Sequence, residues 1–288
     1  MKLFKYIYSI NILKRKTAPT TMNSQVFRRL LGIVFTLLFL VSCRPSALQP
    51  PPTNQTKQVE KAEVEKPELV NSKKEIGHRD FANAKKILPE VFAGLEEDFY
   101  CGCTYSGKKV DLNSCGYVPR KNQTRAERIE WEHVVPAWVL GHQRQCWQQG
   151  GRDNCTASDT EFSKAEGDLN NLVPAVGEVN GDRSNYSYGA WSNNPTPIYG
   201  SCKTVIDFKL KRAQPREEVR GRAARITLYM HEKYKLNMSR QDRQLMCAWA
   251  KLYPVDTWEQ TRDKKIIRWQ GEGNPLVSDP QQLSSLCP

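Results

Sequence analysis

The residues with the clearest chemical potential lie in two short stretches of the chain. Residues 130–135 read Glu-Trp-Glu-His-Val-Val, which places Glu132 directly before His133, and residues 178–185 form a polar stretch that contains Asn180. An imidazole accepts a proton near neutral pH, and carboxylate and amide oxygens are ligands for a hard cation. Hydrolysis of a phosphodiester requires these groups, because a base must activate water and a cation must stabilise the developing negative charge.

His133, one of four histidines, is the predicted general base. Its alternative role is that of a hydrogen-bonded core histidine between Trp131 and Trp138, and the pattern favours neither role. Glu132 is the predicted metal ligand, with an ordinary solvated carboxylate as its alternative. In a strand Glu130 would share a face with Glu132, which argues mildly for a cation between the two, whereas His133 would diverge from Glu132 unless the strand ends or kinks there.

Asn180 is the second predicted oxygen ligand for a metal. Residues 170–174 predict a helix start with Pro174 at the first helical position, and the two-turn helix would end at Asn180 and Gly181. A helix C-cap is therefore the alternative role of Asn180. A neutral amide beside one carboxylate makes a site of low charge, which suits Mg²⁺ drawn in with a polyanion.

Arginines surround both stretches. Arg144, Arg152 and Arg183 are predicted to lie in polar loops, and Arg128 precedes the predicted strand. A guanidinium can donate two parallel hydrogen bonds to phosphate oxygens, so these side chains are predicted phosphate contacts, with a solvated loop face as the alternative for each. Few residues nearby indicate readout of base edges, which favours binding through phosphates with little sequence preference.

The elements that must position these residues are mixed. A strand is predicted to end near Pro136, and alternation over residues 206–210 predicts another strand. Helices are predicted over residues 82–99, 218–236 and 256–269, and a further helix begins at a Ser239 cap and stops before Pro254. We therefore expect an α+β fold, mostly helical, in one domain over residues 77–288.

The first part of the chain predicts export. A basic flank precedes an apolar run at residues 30–41, which is too short for a stable membrane span and is typical of a signal segment within residues 1–43. The run ends in a lipobox-like stretch that favours lipidation of Cys43; the alternative is that Cys43 belongs to a removed signal. Met22 is an alternative start. Residues 44–76 predict a disordered polar tether, which would place the domain in the periplasm, on a membrane, or outside the cell.

Charge and cysteine content refine this prediction. The formal net charge of +12 falls to +5 when the seven Lys and Arg of residues 1–43 are removed, a value that permits a nucleic-acid partner without requiring one. Eight further cysteines in an exported chain predict disulfides rather than a zinc site, with the pairing left open among 105 arrangements. A local bridge between Cys146 and Cys155 is plausible. The predicted members are Cys101, Cys103, Cys115, Cys146, Cys155, Cys202, Cys247 and Cys287.

Several stretches resemble one known family. Residues 130–137 resemble the signature of the bacterial endonuclease I family of periplasmic or secreted nucleases. The resemblance extends over nearly all of residues 80–288 through the stretches at 99–103, 141–147, 150–155, 168–172, 177–185 and 253–256.

The resemblance implies a fold and a set of roles. It implies a ββα-metal core in which two strands and a helix hold a single Mg²⁺, with Glu132 and Asn180 as its ligands. It implies that His133 activates water and that Arg152 holds the phosphate near the transition state. The substrate implied is DNA, and often RNA, cut with little sequence preference. We expect the chain to act as a monomer. The lipobox and tether are not part of the family core.

Two other function classes compete with this prediction. An exported protein that merely binds DNA would need no base, so the set of His133, Glu132, Arg152 and Asn180 argues against it. A different hydrolase, such as an esterase, is disfavoured because the chain has no Gly-x-Ser-x-Gly or His-Glu-x-x-His stretch.

Overall fold

The structure, a computed structural model, describes residues 75–191 and 195–288. Its helices are α1 (Phe81–Val91), α2 (Gln123–Ala126), α3 (Ala137–Gly141), α4 (Gln145–Ser158), α5 (Thr160–Glu166), α6 (Gly177–Arg183), α7 (Arg220–Lys233), α8 (Arg240–Leu252), α9 (Thr257–Gln270), α10 (Pro275–Ser278) and α11 (Pro280–Leu286). Its strands are β1 (Tyr105–Ser106), β2 (Lys109–Val110), β3 (Ile129–His133), β4 (Leu172–Val176), β5 (Ser187–Tyr188), β6 (Val205–Asp207) and β7 (Arg212–Gln214). Short 3-10 helices cover Leu112–Cys115, Leu169–Asn171 and Glu217–Val219.

β3 and β4 form an antiparallel pair of five residues each. Glu132 is opposite Val173 and His133 is opposite Leu172 in this pair. All five residues of β4 are buried, and α6 begins at the residue that follows the strand. The short connection holds α6 against the strand pair, since α6 contacts both β3 and β4.

The predicted helix start at Pro174 is wrong. Pro174 lies within β4, and the helix begins at Gly177 and continues through Asn180 and Gly181 to Arg183. The reason is that a continuous apolar run from Leu172 to Val176 is stabilised by burial on both faces, which favours a strand over the local preference of proline for a first helical turn.

The other strands form two small sheets. β1 pairs with β2, while β7 pairs antiparallel with β6 and parallel with β5. The strand predicted over residues 206–210 is confirmed only up to Asp207. Phe208 and Leu210 are 42% and 59% exposed in the turn that follows, because the alternation there has no neighbouring core to cover it.

The C-terminal helices follow the sequence prediction closely. Ser239 caps α8 by accepting a hydrogen bond from the Asp242 amide, α8 ends before Pro254, and α9 begins after Asp256. α1 is shorter than predicted and ends at Val91, two residues after Pro89. The expected α+β, mostly helical class is confirmed.

All eight cysteines of the described domain are paired, and the disulfide-bonded character of the fold is confirmed. Two bridges close short loops and two join distant segments: Cys103–Cys115, Cys146–Cys155, Cys101–Cys202 and Cys247–Cys287. The predicted local bridge is among them. Long loops contribute most in the chain-entropy account of disulfide stability, so Cys101–Cys202 is the largest contributor.

The predictions made for the signal segment, the lipobox and most of the tether lie outside the described residues. Within residues 75–191 and 195–288, no helix has the length and apolar character needed to cross a bilayer.

Candidate active site

One face of β3 carries two carboxylates, and α6 lies across it. The Asn180 side-chain amide donates a hydrogen bond to Glu130 Oε2 at 3.0 Å. The Arg183 guanidinium donates to Glu132 Oε1 at 2.8 Å. Residues three apart on a helix share a face, as do residues two apart on a strand, so one turn of α6 meets both carboxylates.

Glu132 is almost completely buried, with 4% of its surface exposed. Its Oε1 accepts one hydrogen bond from Arg183 and another, at 2.7 Å, from the Tyr100 hydroxyl. Burial raises the pKa of Glu132, and the positive charge of Arg183 opposes that rise. Both side-chain hydrogen bonds end on the same oxygen, which leaves Oε2 as the oxygen that can take a further partner.

Glu130 is held by two arginines. Arg125 donates to both of its oxygens, at 2.8 and 2.6 Å, and Arg128 donates at 3.0 Å. Partial burial would raise the pKa of Glu130, but these hydrogen bonds outweigh it and lower the pKa. Arg125 and Arg128 already balance the charge of Glu130, so the two neighbouring carboxylates alone do not require a metal between them.

Gly181 makes this arrangement possible. It lies inside α6, and a Cβ atom added there would come within 2.1 Å of Arg125 Nη1. The glycine expected to end the helix instead admits the guanidinium that holds Glu130.

His133 points to the opposite face of β3 from Glu132. Its Nε2 lies 2.8 Å from the backbone oxygen of Glu166. A carbonyl oxygen only accepts hydrogen bonds, so Nε2 carries the proton and Nδ1 is the unprotonated nitrogen of the neutral ring. The histidine is thus both buried and hydrogen-bonded, as its alternative role required, yet one nitrogen remains available as a base.

The environment of His133 keeps its ring neutral. The side chain is 7% exposed, and the Phe81 ring lies 4.5 Å away between ring centroids. Burial lowers the pKa of His133 from 6.5 to about 3, and the charge of Arg152 adds to the effect. The imidazole is therefore unprotonated throughout the neutral range.

Arg152 is tied to the same residue that orients His133. Its Nε donates to Glu166 Oε1 at 2.5 Å, and Thr156 donates to the other carboxylate oxygen at 2.9 Å. The guanidinium carbon lies 5.4 Å from the Phe81 ring centre. Glu166 therefore fixes the histidine through its backbone and the arginine through its side chain, while 42% of the Arg152 side chain remains exposed.

The segment that carries Arg152 is itself shaped by glycines and a disulfide. α4 is kinked at Gly150 and Gly151, whose backbone angles are not helical. The Cys146–Cys155 bridge spans the kink. The prediction that Arg152 lies in a loop is therefore wrong. Arg152 follows the kink, at the start of the second helical part of α4.

The other predicted phosphate contacts have diverse positions. Arg144 precedes α4 and pairs with Asp159, and Arg128 is half-exposed beside Glu130. The loop position predicted for Arg183 is wrong. Arg183 is 1% exposed at the end of α6 and donates to Glu132 and to two backbone oxygens. A buried arginine needs such partners, and here they come from an element distant in sequence.

Two residues of the site were missed. Glu166 acts partly through its backbone oxygen, for which side-chain patterns give no signal. Tyr100 lies within the 99–103 stretch, but nothing in that stretch indicates that its hydroxyl would reach Glu132.

The residues present fit a metal held by few protein ligands. A carboxylate only accepts hydrogen bonds, so the amide nitrogen of Asn180 faces Glu130 and its Oδ1 is directed away as a candidate ligand. Glu132 Oε2 is the second candidate oxygen. The described ranges contain no group of three or more His, Cys, Asp or Glu side chains able to hold a metal ion. One carboxylate and one amide with several waters is a coordination that Mg²⁺ accepts.

An antiparallel strand pair followed by a helix, with a histidine at the strand end and an amide on the helix, is the arrangement expected of a ββα nuclease. Comparison with known proteins agrees: the endonuclease I family model matches residues 94–281. The chain belongs to the endonuclease I family, and it is a nuclease.

The matches to individual relatives cover most of the length of each relative. A periplasmic deoxyribonuclease of Aeromonas hydrophila is 51% identical over 202 residues, which is 68% of this chain and 84% of the relative. Endonuclease-1 of Buchnera aphidicola subsp. Acyrthosiphon pisum (strain APS) is 46% identical over 202 residues, 69% of this chain and 80% of the relative. An extracellular endonuclease of Pseudomonas fluorescens biotype A is 35% identical over 208 residues, 69% of this chain and 86% of the relative.

Proposed function

We propose that this chain is a Mg²⁺-dependent, sequence-nonspecific endonuclease that hydrolyses phosphodiester bonds of DNA, and of RNA as a second substrate. The observation that carries the proposal is the orientation of His133, whose Nε2 is engaged by the Glu166 carbonyl so that Nδ1 is free to act as the base. A protein that only bound DNA would need no such arrangement.

In this mechanism Nδ1 of His133 removes a proton from the attacking water. Arg152, half-exposed and held by Glu166, donates to the phosphate oxygens as negative charge builds up on them. His133 and Glu132 point to opposite faces of β3, so the scissile phosphate must lie at the end of the strand, where His133 is the last residue. Phe81 covers the imidazole and limits access of solvent to it.

Glu132 and Asn180 would hold one Mg²⁺, which supplies charge stabilisation at the phosphate when bound. Tyr100 and Arg183 occupy the other oxygen of Glu132 and fix the direction of its carboxylate. Neighbours of this kind tune both the orientation and the affinity of a metal ligand.

The protein acts as a monomer outside the cytoplasm in this proposal. Its disulfides and its periplasmic and extracellular relatives support export. A lipid on Cys43, with residues 44–76 as a tether, would fix the nuclease to a membrane, and a soluble periplasmic or secreted form is the alternative.

Cleavage of supercoiled plasmid by the oxidised protein tests the proposal. We expect nicking followed by degradation with Mg²⁺, no cleavage with EDTA, and a loss of at least ~100-fold for His133→Ala, as for removal of a general base. His142→Ala is the matched control, because His142 stacks on Trp138 and does not contact His133, Glu166 or Arg152. Equal cleavage by wild type and His133→Ala would overturn the mechanism.

A further inference from the structure

A groove of about 720 Å³ runs beside the candidate active site. It lies between α1, the β1–β2 turn and β3. Its wall combines aromatic rings with lysines, namely Phe81, Tyr105 and Trp131 with Lys85, Lys86 and Lys108.

Two lysines of the groove contact uncharged groups: Lys85 Nζ lies 4.7 Å from the Phe81 ring centre, and Lys86 donates to Asn83 Oδ1. Among residues 75–191 and 195–288, no ion pair involves Lys85, Lys86 or Lys108, although many other cations of the domain are paired. Glu130 also lines the groove, but Arg125 and Arg128 balance its charge, so Glu96 is the remaining carboxylate of the wall. The groove is therefore positive and complementary to a phosphate backbone.

One end of the groove is continuous with the site. Phe81, which lines the groove, lies 4.5 Å from the His133 ring and 5.4 Å from the Arg152 guanidinium carbon. Glu130, on the same wall, accepts the hydrogen bond from Asn180. A strand whose phosphate lies between His133 and Asn180 therefore has the groove as its neighbouring binding surface.

Trp131 gives the wall an aromatic surface that is supported from behind. Trp131 is partly exposed and is backed by Phe92, with ring centroids 5.6 Å apart and planes 27° from parallel. The Tyr105 hydroxyl is closed off from solvent and has no hydrogen-bond partner within the described parts of the chain. Tyr105 is 9% exposed and closes the floor of the groove, so Phe81 and Trp131, which are partly exposed, are the rings that a base can reach.

We propose that this groove binds an unpaired stretch of the substrate strand next to the scissile phosphate, with the lysines on phosphates and the aromatic rings on bases. Ring faces bind bases only where these are not stacked in a duplex, and alternation of cations with aromatic rings is typical of single-strand binding surfaces. The inference rests on the proposed nuclease function and names single-stranded or frayed nucleic acid as the substrate class held best.

Binding by the His133→Ala protein in EDTA tests the lysines, with a fluorescent oligothymidylate and a duplex of equal length as probes. Lys85→Gln/Lys108→Gln should weaken single-strand binding by roughly tenfold and lower the salt slope by about 1.4, since each phosphate contact on a single strand contributes ~0.7. Duplex binding should change by less than ~twofold, because the duplex does not enter the groove. Lys209→Gln/Lys251→Gln removes the same charge from exposed positions outside the groove and is the matched control.

An abasic oligonucleotide tests the aromatic wall without altering the protein. It retains the phosphates but not the bases, so it should bind at least ~tenfold more weakly than oligothymidylate, given a stacking contribution of ~1–3 kcal/mol per base. Equal affinity for the two strands would overturn base binding. Equal losses for single strand and duplex, or losses matched by the control, would overturn the role of the lysines.

Plasmid cleavage by the wild-type protein separates this inference from the proposed function. If cleavage fails, the proposed function is wrong. If cleavage succeeds and the binding differences are absent, only the groove assignment is wrong. Thermal unfolding of each variant verifies that it is folded before its affinity is compared.

Discussion

Replacing Arg152 should separate its part in the reaction from its part in the fold. The arginine donates to Glu166, which is 1% exposed, and Glu166 also orients His133 through its backbone. Arg152→Gln therefore removes the proposed phosphate contact and at the same time leaves a buried carboxylate with Thr156 as its remaining side-chain partner. Either effect alone would reduce cleavage.

The burial of the two partners sets the size of the structural effect. Exposed ion pairs contribute ~0–1 kcal/mol, and breaking a buried pair costs ~3–5 kcal/mol. With Glu166 buried and 42% of Arg152 exposed, the pair lies between these limits. We expect Arg152→Gln to lower the free energy of unfolding by about 1–2 kcal/mol, and Arg152→Gln/Glu166→Gln to recover most of that loss because the unpaired charge is gone.

The cleavage rates of these variants should not change in parallel with their free energies of unfolding. Loss of one donor to a developing oxyanion typically costs ~10²–10³ in rate, so both the single and the double variant should cut plasmid that much more slowly. Glu166→Gln is the control. It removes the carboxylate that pairs with Arg152 but keeps the backbone oxygen that holds His133. Urea denaturation and initial cleavage rates measure the two effects separately. A double variant that regained wild-type cleavage would refute the assignment, because Arg152 would then serve only to balance Glu166.

Three further outcomes are expected. The acid limit of cleavage should move down by up to ~one pH unit per tenfold increase in Mg²⁺, because burial raises the pKa of Glu132 and protons compete there with the metal, whereas His133, with its pKa lowered to about 3, stays neutral. In urea denaturation, Gly181→Ala should lower the free energy of unfolding by ~1–3 kcal/mol, since the added carbon displaces Arg125. Joint replacement of Cys101 and Cys202 by serine should lower it by ~4.7 kcal/mol, because that bridge closes a long loop.

The controls for these outcomes come from the same chain. Joint replacement of Cys146 and Cys155 opens a much shorter loop and should cost only ~2.6 kcal/mol, so equal losses for the two bridges would contradict the loop-length argument. An acid limit that ignored Mg²⁺ would contradict metal binding by Glu132. Unchanged stability of Gly181→Ala would show that Arg125 moves aside freely.

Local rules predicted the parts of the fold that local energetics decide. The apolar segment before Pro136 is a strand, the alternation of its side chains places Glu130 and Glu132 on one face, and the Ser239 cap begins α8. A capping hydrogen bond and the two-residue period of a strand depend only on neighbours in sequence.

The wrong predictions concern residues whose conformation depends on partners distant in the sequence. The residues next to Arg183 in sequence are polar and are typical of a solvated loop. In the structure its guanidinium is buried and donates to Glu132 and to the backbone oxygens of His133 and Val134. Pro174 marks a helix start by local preference, yet pairing with β3 makes it part of a strand. The carbonyl of Glu166 that orients His133 could not be predicted, because any residue has a carbonyl and only the tertiary fold selects this one.

The bond from His133 Nε2 to that carbonyl also governs the path of the proton. A ring with both nitrogens open can take a proton at one and release it at the other, as in a relay. Here Nε2 donates to a carbonyl oxygen, which has no proton to give. The imidazole therefore cannot relay a proton from one nitrogen to the other. In the proposed mechanism, each proton that Nδ1 takes from water must also leave through Nδ1, and a turnover is complete only when the leaving oxygen or incoming solvent has collected it.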